Sequence, residues 1–162
     1  MSRDLYILSV FVHVISACAW LGGMLFLILA FIPGVKNHPD KVDLIFAVSL
    51  KYRTVGVVAL ILLFITGFVQ LEFRGVQWNV DYLTTNSFGK VASLKILVFI
   101  AIALISVIHD YYLGTRAIDA WKNRPEHTET IRLRTLSRLL GRVSFALALL
   151  AVLLGVILSR GW

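Results

Sequence analysis

Three ionisable side chains fall inside apolar stretches of this 162-residue chain: His13, Lys95 and His109. A polar group in hydrocarbon is costly, so such residues face a protein interior or an interface and often mark a site. A neutral imidazole ligates metals and carries protons near physiological pH. A neutral lysine amine can do the same, whereas a charged one near a helix end snorkels to the headgroups. His13 also has informative neighbours in "FVHVISACAWLGGMLF". His13, Ala17, Trp20 and Met24 share one helical face, and Gly22 and Gly23 permit close approach of a backbone or a flat ligand. Two roles are open to His13: axial ligand of a planar macrocycle, or a histidine bonded to a neighbouring helix. Two are open to His109, which precedes Asp110: ligand of a second centre, or an interfacial histidine bonded to its neighbour. His38 and His127 lie in connections and receive no role.

Hydropathy defines the elements that must position these residues. The chain is 59% hydrophobic and 15% charged, with mean hydropathy +0.84. A soluble domain of this size has no interior large enough for that much apolar surface. The expected class is an all-α integral membrane protein, a single domain over residues 1–162. Its apolar runs are continuous rather than alternating, which favours helices over strands. Spanning helices are expected at about 5–32, 44–71, 88–113 and 138–160. Two of the uncharged runs, those of the second and fourth helices, are short; Lys51, Arg53, Arg142 and Arg160 extend them by snorkelling. Pro33 and Gly34 end the first helix, Asn86 or Ser87 caps the third, and Pro125 breaks the polar stretch before the fourth. The first run continues well past the signal-like "ISACA", so an uncleaved helix is expected.

Charge sets the orientation. Of 16 Lys and Arg, eleven fall in the first and third connections and four in the N-terminus, second connection and C-terminus; Lys95 lies within a span. The positive-inside rule puts connections 33–53 and 114–142 in the cytoplasm and both termini on the outer side, giving an antiparallel four-helix bundle. The net charge of +7 then reads as topology signal and contact with anionic headgroups, and a nucleic-acid partner is not expected.

Depth separates the three residues. At 1.5 Å per residue, His13 lies roughly 12 Å and Lys95 roughly 10 Å from the outer ends of their helices, whereas His109 lies roughly 30 Å in. His13 and Lys95 are therefore level, and His13 and His109 cannot share one metal ion, whose bonds are ~2 Å. Soft ligands for copper are scarce: Cys18, Met1 and Met24. No Ser/His/Asp arrangement, phosphate-binding glycine loop or pair of intramembrane carboxylates is visible. Ala19 and Gly23 form a small-xxx-small pair compatible with a homo-oligomer.

"HVISACAWLGGMLF", "YRTVGVVALILLFITGFVQLEFRG", "LKILVFIAIALISVIHDYYLGTRA" and "LSRLLGRVSFALALLAVLLGVIL" resemble, in order, the helices of the CopD-type copper-resistance membrane family. The same order is similar to the HemJ-type protoporphyrinogen oxidase family. That second resemblance implies a b-type haem (haem b) site at His13, Trp20 and Lys95. A haem-binding redox protein would have Lys95 or His109 as a further cofactor-binding position beside His13, and quinone or a porphyrin as partner. HemJ-type chains carry a double histidine late in the third helix where this chain has His109-Asp110, and full-length CopD proteins are larger. The CopD resemblance implies copper transport, with His13 and His109 as successive metal stations. A non-catalytic assembly subunit is the third reading. Both families imply a bacterial or archaeal plasma membrane. Haem-dependent redox chemistry is the reading favoured here.

Overall fold

The computed structural model describes residues 3–160. Among them there is no strand, and four helices are long and apolar enough to cross a membrane: α1 (Arg3–Gly34), α2 (Lys41–Phe73), α3 (Ser87–Asn123) and α4 (Thr128–Arg160). Most of each apolar window is left uncovered by the protein itself. Phe11, Leu29, Phe64 and Leu97 are each more than 60% exposed. Side chains of this size and number on the exterior require hydrocarbon around them, so the chain is a membrane protein.

The helix ends have local causes. Asn86 caps α3, its side-chain oxygen accepting from the N–H groups of Phe88 at 2.9 Å and Gly89 at 3.2 Å. Gly75, at φ +69°, closes α2. Its N–H bonds the Glu72 carbonyl at 3.0 Å, and the Val76 N–H bonds the Leu71 carbonyl at 3.2 Å. That double bond pattern satisfies the last carbonyls and needs a left-handed residue, which glycine supplies without a Cβ penalty. Pro33 has no N–H to extend the ladder of α1, and the turn before it, Leu27–Phe31, is wound as π-helix.

The third and fourth helices differ from the expected 88–113 and 138–160. α3 runs on to Asn123 and α4 begins at Thr128, so most of the polar connection is helical. The reason is packing between the two extensions. Ala117 is buried, Thr130 donates to the Arg124 carbonyl at 2.8 Å, and the Arg134 guanidinium lies 3.7 Å from the centre of the Trp121 ring. At 37 residues, α3 is roughly 55 Å long and outruns a hydrocarbon core of about 30 Å.

α1 packs chiefly on α2, and α3 on α4. Along the first pair, Ser9 meets Gln70, His13 meets Thr66, and Trp20 meets Tyr52. Small residues allow this approach. A methyl group at Gly23 would collide with the Tyr52 ring, and one at Gly56 would stand 3.6 Å from the Trp20 indole. The two pairs are joined by an apolar cluster of Trp20, Ala59, Val98, Ile102, Ala148 and Leu154. The Phe64 and Phe99 rings stack across the gap, with centroids 5.9 Å apart.

Candidate functional site

The polar groups of the interior divide into two sites, one on each side of the apolar cluster. The first is built around His13. Its Nδ1 lies 2.8 Å from the Thr66 hydroxyl oxygen. That hydroxyl has one proton, and it is given to the Leu62 carbonyl at 2.5 Å, the preceding turn of α2. The oxygen can therefore only accept from the ring, so Nδ1 carries the imidazole proton. In the neutral ring the lone pair is then on Nε2, which makes no hydrogen bond among the described residues. Gly67, next to Thr66, leaves room for the ring: a Cβ there would meet His13 Cε1 at 3.5 Å.

Lys95 approaches from the other helix pair. Its amine lies against Gly155 of α4, where a Cβ would stand 3.0 Å from Nζ. It makes no hydrogen bond or ion pair among the described residues, and it lies in the neighbourhood of His13. Arg74, at the end of α2, closes this region. Its guanidinium donates to the Leu158 carbonyl at 2.5 Å and to the Tyr6 hydroxyl at 3.3 Å, and lies 5.8 Å from the centre of the Phe88 ring. One side chain thus ties together the ends of all four helices.

Trp20 is 6% exposed and belongs to the apolar cluster between the helix pairs, its indole beside Gly56. Its backbone carbonyl accepts a hydrogen bond from the Tyr52 hydroxyl. Met24 packs against the same cluster, Cys18 is exposed, and Met1 lies outside the described residues. Among the described residues, no three His, Cys, Asp or Glu side chains gather closely enough to hold a metal ion.

The second site is built around His109. Its Nδ1 lies 2.8 Å from a carboxylate oxygen of Asp110, and its Nε2 lies 3.2 Å from the Ser137 hydroxyl of α4. Both ring nitrogens are therefore engaged, so His109 offers no free donor atom to a metal in this arrangement. The expectation that no Ser/His/Asp arrangement exists is overturned: Ser137, His109 and Asp110 form one hydrogen-bonded chain. Sequence spacing hides it, because Asp110 is adjacent to His109 and Ser137 lies 28 residues away on another helix. His109 sits in a π-helical stretch, Ile108–Leu113, whose wide turn closes when the Gly114 N–H bonds the His109 carbonyl. A Cβ at residue 114 would come within 2.9 Å of that carbonyl oxygen.

The two sites are well separated. Lys95 contacts residue 155 of α4 and His109 contacts residue 141, which are fourteen residues and roughly 21 Å apart along the helix. The structure thus brings Lys95 near His13 and keeps His109 away from both. Thr66, Gly67, Gly155, Arg74 and Ser137 were not singled out in the sequence. The one available signal was a hydroxyl or glycine interrupting an apolar helix, and the spans contain many of these.

Comparison with known proteins adds kinship without a role. A protein of Aquifex aeolicus (strain VF5), described as uncharacterized, is 32% identical over 157 residues, which cover 96% of each chain. The chain belongs to the family of that protein. No family model matches it, and no solved structure matches it. Identity that extends over nearly the whole length includes all four helices, so the kinship concerns the complete four-helix unit described here.

Proposed function

We propose that this chain is a membrane redox protein that holds a b-type haem through Nε2 of His13. The observation that carries this reading is the Thr66–Leu62 relay, which commits Nδ1 as a donor and leaves Nε2 as the lone pair. Metal-bound histidines are oriented in this way, by a hydrogen bond from the other ring nitrogen. A neutral imidazole is an ordinary axial ligand of haem iron. The donor chemistry therefore fits. Lys95, unpartnered at the same level and carried by the opposing helix pair, is the second side chain positioned to contact the group or its carboxylates. Trp20 would wall the site from the apolar side. When bound, haem supplies one-electron chemistry, and the chain's own residues orient the ligand and keep water out. The resemblance to HemJ-type helices supports the same reading, with quinone or a porphyrin as redox partner.

The contact pairs 9/70, 13/66 and 20/52 support antiparallel packing of α1 and α2. The distribution of Lys and Arg supports both termini outside and connections 33–53 and 114–142 in the cytoplasm. Expression with ample haem, followed by a reduced-minus-oxidised visible spectrum and metal analysis, tests the proposal. Stoichiometric haem with b-type bands is expected. A colourless protein would contradict it, and copper at stoichiometry in that sample would support the transport reading instead.

A further inference from the structure

We propose that Ser137, His109 and Asp110 form a nucleophilic acyl-transfer site for the ester of a membrane lipid, independent of the His13 site. A nucleophile, a base bonded to it, and a group orienting the base are recognised by geometry, whatever their order in the chain. Here Asp110 holds Nδ1 at 2.8 Å, so Nδ1 bears the proton and Nε2 accepts from the Ser137 hydroxyl at 3.2 Å. The hydroxyl makes no other hydrogen bond among the described residues, so its proton has one destination. Gly141 follows Ser137 by one turn and also borders Nε2, a Cβ there standing in ordinary contact at 4.0 Å. The side chains of His109 and Asp110 are 33% and 31% exposed, which leaves a substrate access.

The backbone supplies a second, independent observation. The π-turn of α1 is followed by a proline, but the π-turn of α3 has none and rests on Gly114. Such wide turns cluster at functional sites, and this one contains His109 and Asp110. Its surroundings identify the substrate class. Tyr111 and Tyr112 are exposed, as aromatic residues are at the headgroup level. The Arg53 and Arg116 guanidinium groups lie 4.9 Å and 5.9 Å from the centres of those two rings. Lipid ester carbonyls lie at that depth, water reaches it, and guanidinium groups bind anionic headgroups.

The step balances. The Ser137 oxygen attacks the ester carbonyl as its proton passes to His109 Nε2. The C–O bond to the lipid alcohol breaks, and the imidazolium returns that proton to the leaving alkoxide. Water then cleaves the acyl-serine, giving a fatty acid and the original hydroxyl.

The test is reaction of the purified full-length protein with a fluorophosphonate, with the adduct located by peptide mass spectrometry. The adduct is expected on Ser137, absent in Ser137→Ala and formed ~100-fold more slowly in His109→Gln. Release of fatty acid from phosphatidylglycerol vesicles is expected to disappear in Ser137→Ala. No adduct on Ser137, equal labelling rates with and without His109, or fatty-acid release unchanged in Ser137→Ala would each overturn the proposal. If Ser137→Ala proves unstable, Ser137→Cys in a Cys18→Ser background replaces it. Residue 137 should then react with iodoacetamide faster when His109 is present than in His109→Gln, and equal rates would again overturn the proposal. Loss of haem is not expected in any of these variants, so failure here is distinguishable from failure of the haem reading.

Discussion

The two histidines within the spanning helices make opposite use of the same ring. His13 gives its Nδ1 proton to a threonine and leaves Nε2 open. His109 gives its Nδ1 proton to a carboxylate and has Nε2 covered by a serine. The first arrangement suits a ligand, because Nε2 makes no hydrogen bond among the described residues. The second suits proton transfer, because the lone pair already holds a hydroxyl proton. The difference arises from the partner helix rather than from the histidine. α2 offers a hydroxyl whose own proton is spent on its preceding turn, and α4 offers one whose proton is free.

Exchange of side chains should break this contrast in a graded way. The largest effect is expected in His13→Ala, which should lose more than about nine-tenths of bound haem while His109→Ala keeps it, measured as haem per protein. Thr66→Val comes next. Without the hydroxyl the Nδ1 proton loses its acceptor, and haem affinity should fall by roughly 10- to 100-fold, with recovery in Thr66→Ser. Gly23→Ala forces a methyl group into the Tyr52 ring and should cost about 1–3 kcal/mol in denaturant unfolding, as overpacking does. Tyr52→Phe removes only the hydrogen bond to the Trp20 carbonyl and should cost about 1 kcal/mol. The finest test is Gly114→Ala. Its Cβ would press on the His109 carbonyl, so it should change the reactivity of Ser137 and leave haem content within error.

Much of the fold was legible because hydrocarbon imposes one rule on every residue. Continuous apolar runs located the four spans, Pro33 and Gly34 marked the end of α1, and the pair Asn86 and Ser87 marked the start of α3, where Asn86 is the cap. The ends of α3 and α4 were not legible. The stretch from Arg116 to Arg142 reads as a polar connection that becomes a basic, amphipathic entry into the fourth helix, but the two helices run further and bury Ala117 and Thr130. Depth counting put Lys95 level with His13 because both are counted from helix ends. It could not supply Thr66, Gly67 or Gly155, since rotation about the helix axis decides which of many small residues faces a histidine. The Ser137–His109–Asp110 chain was hidden for a related reason. Ser137 falls just before the expected fourth helix at 138–160, and its contact with His109 depends on α4 beginning at Thr128.

The measurement that bears most directly on the central claim is a paired spectrum. Wild-type protein and His13→Ala, expressed with ample haem and shown to unfold at similar denaturant concentrations, are compared as reduced-minus-oxidised visible spectra. The account predicts a Soret band and b-type bands at stoichiometric haem in the first, and their loss in the second. Identical spectra and haem content in the two proteins would contradict it.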